Sequence, residues 1–193
     1  MDHRSDAVIS MSDATDLIDH FTSRLASAGG QTHRAANPAE AVETLVILAA
    51  GVEVVWTSPT VQAQAPMLVQ AMVQAGFDVR VDGDPTSVRD QPLGLTVARH
   101  TIAETGSSLL VEPSLAERSV SLMTQTLIVL CRTSDLLIGL DEAAPVLRDV
   151  SALGSSYATL VTGPSRTADI ERQLTVGVQG PAVFHVILVD VLE

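Results

Sequence analysis

The sequence points to an α/β protein with a parallel or mostly parallel sheet flanked by helices. Three observations carry this. β-rich apolar runs alternate with amphipathic stretches along the chain. The run TLIVLC is continuously apolar, as a strand covered on both faces must be. The core palette is aliphatic, with 46% hydrophobic residues but only 3% aromatic, which suits helices packed on a buried sheet. At 193 residues the chain can bury one sizeable core, and a mean hydropathy of +0.30 excludes a disordered protein.

In DATDLIDHFTSRLASAG, residues Leu17, Ile18, Phe21 and Leu25 share one helical face, with Ser12 or Asp13 as N-cap and Gly29-Gly30 as the stop. Residues 1–30 read as an N-terminal helical arm and residues 31–193 as the α/β domain. Asn37, Pro38 and Glu40 have the spacing of a capping box opening a helix toward Ala50. VEVVWT reads as a strand, residues 65–75 as a short helix ended by Gly76, and FDVRV as another short strand. DGDPTSVRDQP reads as a loop. GLTVA and SLLVE are strands flanking the turn-like RHTIAETGS, and a helix is expected from about Ser134 to Leu153. YATLVT and AVFHVILVDV close the sequence as strands, with GPSRTADIERQLTVGVQGP between them. Strands separated by helical stretches favour crossover connections and parallel pairing.

Composition removes several function classes. A formal charge of −12 and a pI near 4.6 argue against nucleic acid or an anionic membrane surface as partner, since both demand a positive field. All eleven basic residues are arginines, which excludes a Schiff-base lysine and a P-loop lysine. The first residues hold no apolar leader core, and no apolar run approaches the roughly 18 residues of a membrane span. A cytoplasmic protein without membrane insertion is expected. The single cysteine, Cys131, sits in an apolar run and reads as a small buried hydrophobe; one thiolate cannot hold an iron–sulfur cluster. His185, inside FHVILVD, reads as a hydrogen-bonded core histidine, and His100 has no second histidine at metal-ligand spacing, so no metal site is expected.

The polar chemistry concentrates in two stretches. GPSRTADIE, Gly163 to Glu171, follows an apolar run, as a strand-to-helix turn at the carboxyl end of a parallel strand would. There Gly163 permits a close backbone approach, Ser165 and Thr167 can cap a helix, and Arg166 offers a forked donor to an anion. The same residues equally describe a capped helix start, with Arg166 and Asp169 as a local ion pair and Asp169 and Glu171 complementing the dipole. In TIAETGS, Glu104 is either a base, nucleophile or hydroxyl-binding group at a turn, or a carboxylate accepting nearby N–H groups.

Taken together, GLTVARHTIAETGS and GPSRTADIERQLTVGVQGPAVFHVILVD closely resemble the lactate-utilisation protein C family, the LUD-domain proteins, over roughly the last half of the chain. The resemblance implies the fold of the ribose-phosphate isomerase and CoA-transferase group, and makes residues 31–193 a LUD-type domain. It implies a non-cluster subunit or accessory protein of a system oxidising L-lactate to pyruvate. That role needs no cofactor in this chain: iron–sulfur clusters are expected only in the partner subunits, and the chain itself contributes binding of a partner or a small-molecule acid. The family's AETG pattern falls on Ala103, Glu104, Thr105 and Gly106, and its GPS-x-TADIE pattern on Gly163, Pro164, Ser165, Thr167, Ala168, Asp169, Ile170 and Glu171. Its GVHGP pattern falls on Gly177, Val178, Gln179, Gly180 and Pro181, so the family histidine is Gln179 here, which cannot take up a proton near neutral pH. Ser107 stands where threonine is usual and keeps the hydroxyl. An alternative by fold analogy is a stand-alone enzyme of acyl-transfer or sugar-phosphate type with Glu104 as nucleophile or base. The residues assigned to the site are Glu104, Thr105, Gly106, Ser107, Gly163, Ser165, Arg166, Thr167, Asp169, Glu171, Gln179 and Gly180.

Overall fold

A computed structural model describes residues 11–81, 84–152, 157–168, 174–176 and 180–192. The chain opens with α1 (Met11–Ser27), β1 (Gln31–Ala35), α2 (Pro38–Ala49) and β2 (Val54–Thr57), then α3 (Pro59–Gln64), α4 (Pro66–Gln74), β3 (Asp78–Arg80) and α5 (Pro85–Val88). It continues with β4 (Leu93–Val97), β5 (His100–Ile102), β6 (Ser107–Val111), α6 (Leu115–Met123), β7 (Thr126–Arg132) and β8 (Leu136–Leu137). The last elements are α7 (Leu140–Ala152), β9 (Ala158–Val161), β10 (Arg166–Ala168), β11 (Leu174–Val176) and β12 (Val183–Val189).

The large sheet has six strands in the order β1-β12-β7-β4-β2-β3, and every pairing in it is parallel. Its strands have period-two side chains that feed two separate cores. Leu127, Val129 and Cys131 of β7 join Phe184, Val186 and Leu188 of β12 on one face, while Ile128, Leu130, Ile187 and Val189 point to the other. α2 and α4 cover the second face through Ala41, Leu45, Leu68 and Met72. α1 and α6 cover the first, where Ile18, Phe21 and Leu25 are buried beside Val120. A smaller four-stranded sheet, β8-β5-β6-β9, lies on that same face and contributes Leu110 and Leu136 to its core. In it β6 runs antiparallel to both β5 and β9, so GLTVA and SLLVE belong to different sheets.

Local signals explain several boundaries. The Asn37 side chain caps the helix by accepting the Glu40 N–H at 3.1 Å, but the expected capping box is shifted by one residue, because Glu40 accepts the Ala36 N–H at 2.8 Å rather than that of the N-cap. Ser12 and Asp13 are not caps, because the helix is already formed at Met11. The expected helix from Ser134 starts only at Leu140: residues 133–135 make a 3-10 turn, and Leu136–Leu137 pair with Thr101–Ile102, which buries Leu136. The loop after β3 contains the one-turn helix α5, capped by the Asp84 side chain and anchored by the buried Val88.

The order of connections matters for function. From β2 the chain moves outward to β3, whereas from β4 it moves the opposite way, to β7 and then β12. β2 and β4 are adjacent, so the direction of winding reverses between them.

His185 is a buried core histidine, 6% exposed, with its Nδ1 3.2 Å from Nε2 of His33 on β1. Burial first, and the neighbouring His33 second, push its pKa down to about 4, and burial also lowers that of His33. Two neutral rings can share one hydrogen bond; two charged rings cannot. Because the folded pKa lies below the unfolded value of 6.5, this pair contributes its full stability above that pH. The contribution is lost as the pH falls toward about 4. Urea unfolding of wild type against His185→Gln should therefore show a difference in pH dependence of up to about 3 kcal/mol across that window. Parallel profiles for the two proteins would show that His185 is not held neutral by the fold.

Candidate functional site

The two motif stretches meet on the carboxyl end of α1. Gly106 closes the AETG turn with φ +68°, and its N–H bonds back to the Ile102 carbonyl at 2.9 Å. A Cβ there would collide with the Leu25 backbone N–H and come within 2.7 Å of the Arg24 carbonyl carbon. Gly163 has φ +75°, and a Cβ on it would lie 2.7 Å from the Ala28 carbonyl oxygen. Both positions therefore need glycine twice over, for the backbone angle and for the space.

Between these contacts the β6–β9 pairing sets Ser108 opposite Val161 and brings the next pair together, Ser107 Oγ hydrogen-bonding Thr162 Oγ1. Ser165 donates its backbone N–H to the Pro181 carbonyl at 2.8 Å, and a Cβ on Gly180, φ +93°, would sit 3.1 Å from the Ser165 Cβ. The structure thus gathers Gly106, Ser107, Gly163, Ser165, Arg166 and Gly180 into one region. Thr105 lies in the same turn with its hydroxyl buried and unpartnered among the described residues.

Arg166 does not open a helix. It begins β10, an antiparallel partner of β11, and its guanidinium donates to the Ala28 carbonyl at 2.7 Å. That carbonyl is one of the orphan acceptors at the end of α1, where the negative end of the helix dipole favours a cation. Thr167 is the middle residue of β10. Asp169, Glu171 and Gln179 lie outside the described residues, as does the proposed Arg166–Asp169 pair.

Glu104 points away from this cluster. One of its carboxylate oxygens accepts the Leu140 N–H at 3.0 Å, satisfying a first-turn donor of α7 from the β5–β6 turn, and Gly139 leaves room for it with a would-be Cβ 3.0 Å away. The carboxylate is on the surface rather than in a closed pocket. His100 donates through Nδ1 to the Asp135 carbonyl at 3.1 Å. Cys131 is fully buried and accepts from the Thr101 hydroxyl, and burial pushes its thiol pKa up to about 12, so it stays a protonated core residue.

The location corrects one expectation. GPSR follows β9, a strand of the small sheet, and sits at the amino ends of the large one. Its Ser165 is bonded just before β12, Arg166 just before β1, and Gly180 to Leu122, just before β7. The sequence placed it at the carboxyl ends of parallel strands. What sequence reasoning missed was the floor of the site, Ala28 and Gly29, where the glycine pair reads only as a helix stop. A Cβ on Gly29 would lie 2.7 Å from the Arg166 guanidinium, so its signal is a glycine, with φ +89°, that leaves room for a side chain of the motif.

A parallel α/β sheet carrying a second small sheet is the architecture shared with the crystal structure of a DUF162 family protein from Deinococcus radiodurans. The TM-score is 0.68 at 17% identity, over 91% of this chain and 98% of that one. The LUD domain family matches residues 87–189, a stretch that contains both motifs, and the chain belongs to that family. It is similar to the lactate utilization protein C of Bacillus subtilis (strain 168), 37% identical over 101 residues, or 51% of this chain and 42% of that protein. Lactate utilization protein C 1 of Bacillus mycoides (strain KBAB4) is 36% identical over 101 residues, 51% of this chain and 43% of that protein. The matched stretch spans less than half the length of these relatives. Among the described residues no helix is long and apolar enough to cross a membrane.

Gly106→Ala should cost well over about 2 kcal/mol, because it adds a clash with a helix backbone to the φ penalty. Gly76, with φ +96° and nothing within 4 Å of a would-be Cβ, separates the two terms. Gly76→Ala should cost only about 1 kcal/mol. Chemical denaturation of both variants checks this; equal losses would mean that the turn does not need its close approach to α1.

Proposed function

We propose that the chain acts in lactate utilization as a non-cluster subunit or accessory protein of an iron–sulfur L-lactate oxidation system, contributing binding rather than electrons. The observation that carries this reading is its identity of 36–37% to proteins named lactate utilization protein C. The family match includes the two motifs that converge on α1.

The chemistry of the chain agrees with a positioning role. Oxidising an α-hydroxy acid requires a group that accepts two electrons, and ordinary side chains do not. The sequence supplies one cysteine, and its thiol is buried and protonated, so cluster ligation falls to partner subunits. Around the motif turns, Thr162 and Arg166 are exposed on a framework fixed by glycines, a rigid surface on which a partner or a small acid can be held, while Glu104 is exposed on the α7 side of its turn. The resemblance assigns Thr167, Asp169, Glu171 and Gln179 to the same site. With Gln179 in place of the family histidine, the site binds without accepting a proton at that position.

The purified chain mixed with L-lactate and an artificial electron acceptor should form no pyruvate, and pyruvate should appear when the candidate cluster subunits are added. Arg166→Ala loses one exposed hydrogen bond and should melt within about 1 kcal/mol of wild type, yet should weaken co-purification with those subunits. Pyruvate from the chain alone would contradict the reading. So would an Arg166→Ala variant that binds the subunits and supports turnover as wild type does.

A further inference from the structure

Open parallel sheets bind ligands outside the carboxyl ends of their strands, at the point where the winding reverses. In this chain that point lies between β2 and β4, at the end of the large sheet opposite the motif turns. A cavity of about 400 Å³ opens there, between Thr60 and Gln64 following β2, and Val97 and Arg99 at the end of β4. Its remaining walls come from Val111 at the end of β6, from Pro113 and from Glu117 of α6, and from Val146, Asp149 and Val150 of α7.

Valines and a proline make up half of the lining, and the polar half is divided by charge. Glu117 is 6% exposed and already committed: its oxygens accept from the Thr60 hydroxyl at 2.6 Å and from the Ser114 N–H at 2.9 Å. It fixes the wall. By contrast, among the described residues the Arg99 guanidinium, the Gln64 carboxamide and the Asp149 carboxylate have no hydrogen-bond or ion-pair partner, although all three line the cavity. A cavity that sets unengaged polar groups beside apolar walls is what a small-molecule site offers.

We propose that this cavity at the β2–β4 reversal binds a hydroxylated organic acid, with its carboxylate on Arg99, its hydroxyl donating to Asp149 and its carbon chain against the valines. The assignment follows from charge. A net charge of −12 and the two acids in the cavity repel an anion everywhere except at the guanidinium, which pairs with a carboxylate through two parallel bonds. Asp149 can only accept, so the ligand must carry a donor besides its carboxylate. Gln64 can serve either end. A volume of about 400 Å³ is more than a three-carbon acid fills. The site is independent of the lactate reading and lies away from the residues that reading uses.

The probe is 2-hydroxy-4-methylpentanoate, with 4-methylpentanoate lacking the hydroxyl and 2-hydroxy-4-methylpentanamide lacking the charge, titrated into ¹⁵N-labelled protein without any other subunit. Saturable shifts should centre on the amides of residues 97–99 and on the Gln64 side chain. Binding should weaken at least about tenfold for the amide and for the Arg99→Gln variant, whose folding the same spectra report. In Asp149→Asn the preference for the hydroxylated acid over 4-methylpentanoate should fall. Shifts that do not saturate, that centre on Gly106 and Ser165 instead, or that are the same for acid and amide would overturn the proposal.

Discussion

The last turn of α1 is the contact on which the second layer of this protein depends. Gly106 and Gly163 press against backbone atoms of Arg24, Leu25 and Ala28 with no side chain between them, and Arg166 adds a charged hydrogen bond to the Ala28 carbonyl. These contacts join two turns more than fifty residues apart to one helix end. That helix is held in turn by Ile18, Phe21 and Leu25, buried in the core beneath it. The small sheet is thereby fixed at its turns as well as through its packing on the large sheet. Backbone-to-backbone contact is unforgiving, because neither side has a rotamer through which to relax.

The arrangement gives the two ends of the parallel sheet different characters. At the amino ends of β1, β12 and β7, glycine turns and charged side chains form a fixed polar surface. At the carboxyl ends of β2 and β4 lies a cavity lined by valines and by Arg99, whose guanidinium has no partner among the described residues. The β4–β5 and β5–β6 connections link the ends directly: Arg99 and Glu104 are five positions apart, yet one lines the cavity and the other caps α7 at Leu140. A chain that both holds a partner and senses a small acid would need two such sites on one rigid sheet.

What the sequence revealed followed the range of the interaction. The Asn37 cap on the Glu40 N–H is local and was legible, as were the apolar strands β7 and β12, whose burial on both faces leaves no polar alternation. β1 was not legible: QTHRA is polar, pairs with β12 alone and buries only Ala35. α6 left a local signal that went unread, the Ser114–Glu117 capping box. The family motifs marked the residues of the site but not its place. YATLVT looks the same whether it joins a parallel or an antiparallel sheet, and only the pairing of β9 with β6 sends the GPSR turn to the amino ends of the large sheet. Arg166 could not be read as a partner of Ala28 either, since that contact joins residues 138 positions apart.

Native-state hydrogen exchange on the Leu25→Ala variant tests the docking of both motif turns on α1 most directly. Leu25 is fully buried and its backbone faces Gly106, so its truncation loosens the helix end without touching either motif. The account predicts that the Gly106 and Ser165 amides, bonded to Ile102 and Pro181, lose protection together, while amides at the centre of β7 and β12 exchange only through global unfolding. Unchanged protection at both Gly106 and Ser165, or a uniform loss that does not distinguish them from β7, would contradict it.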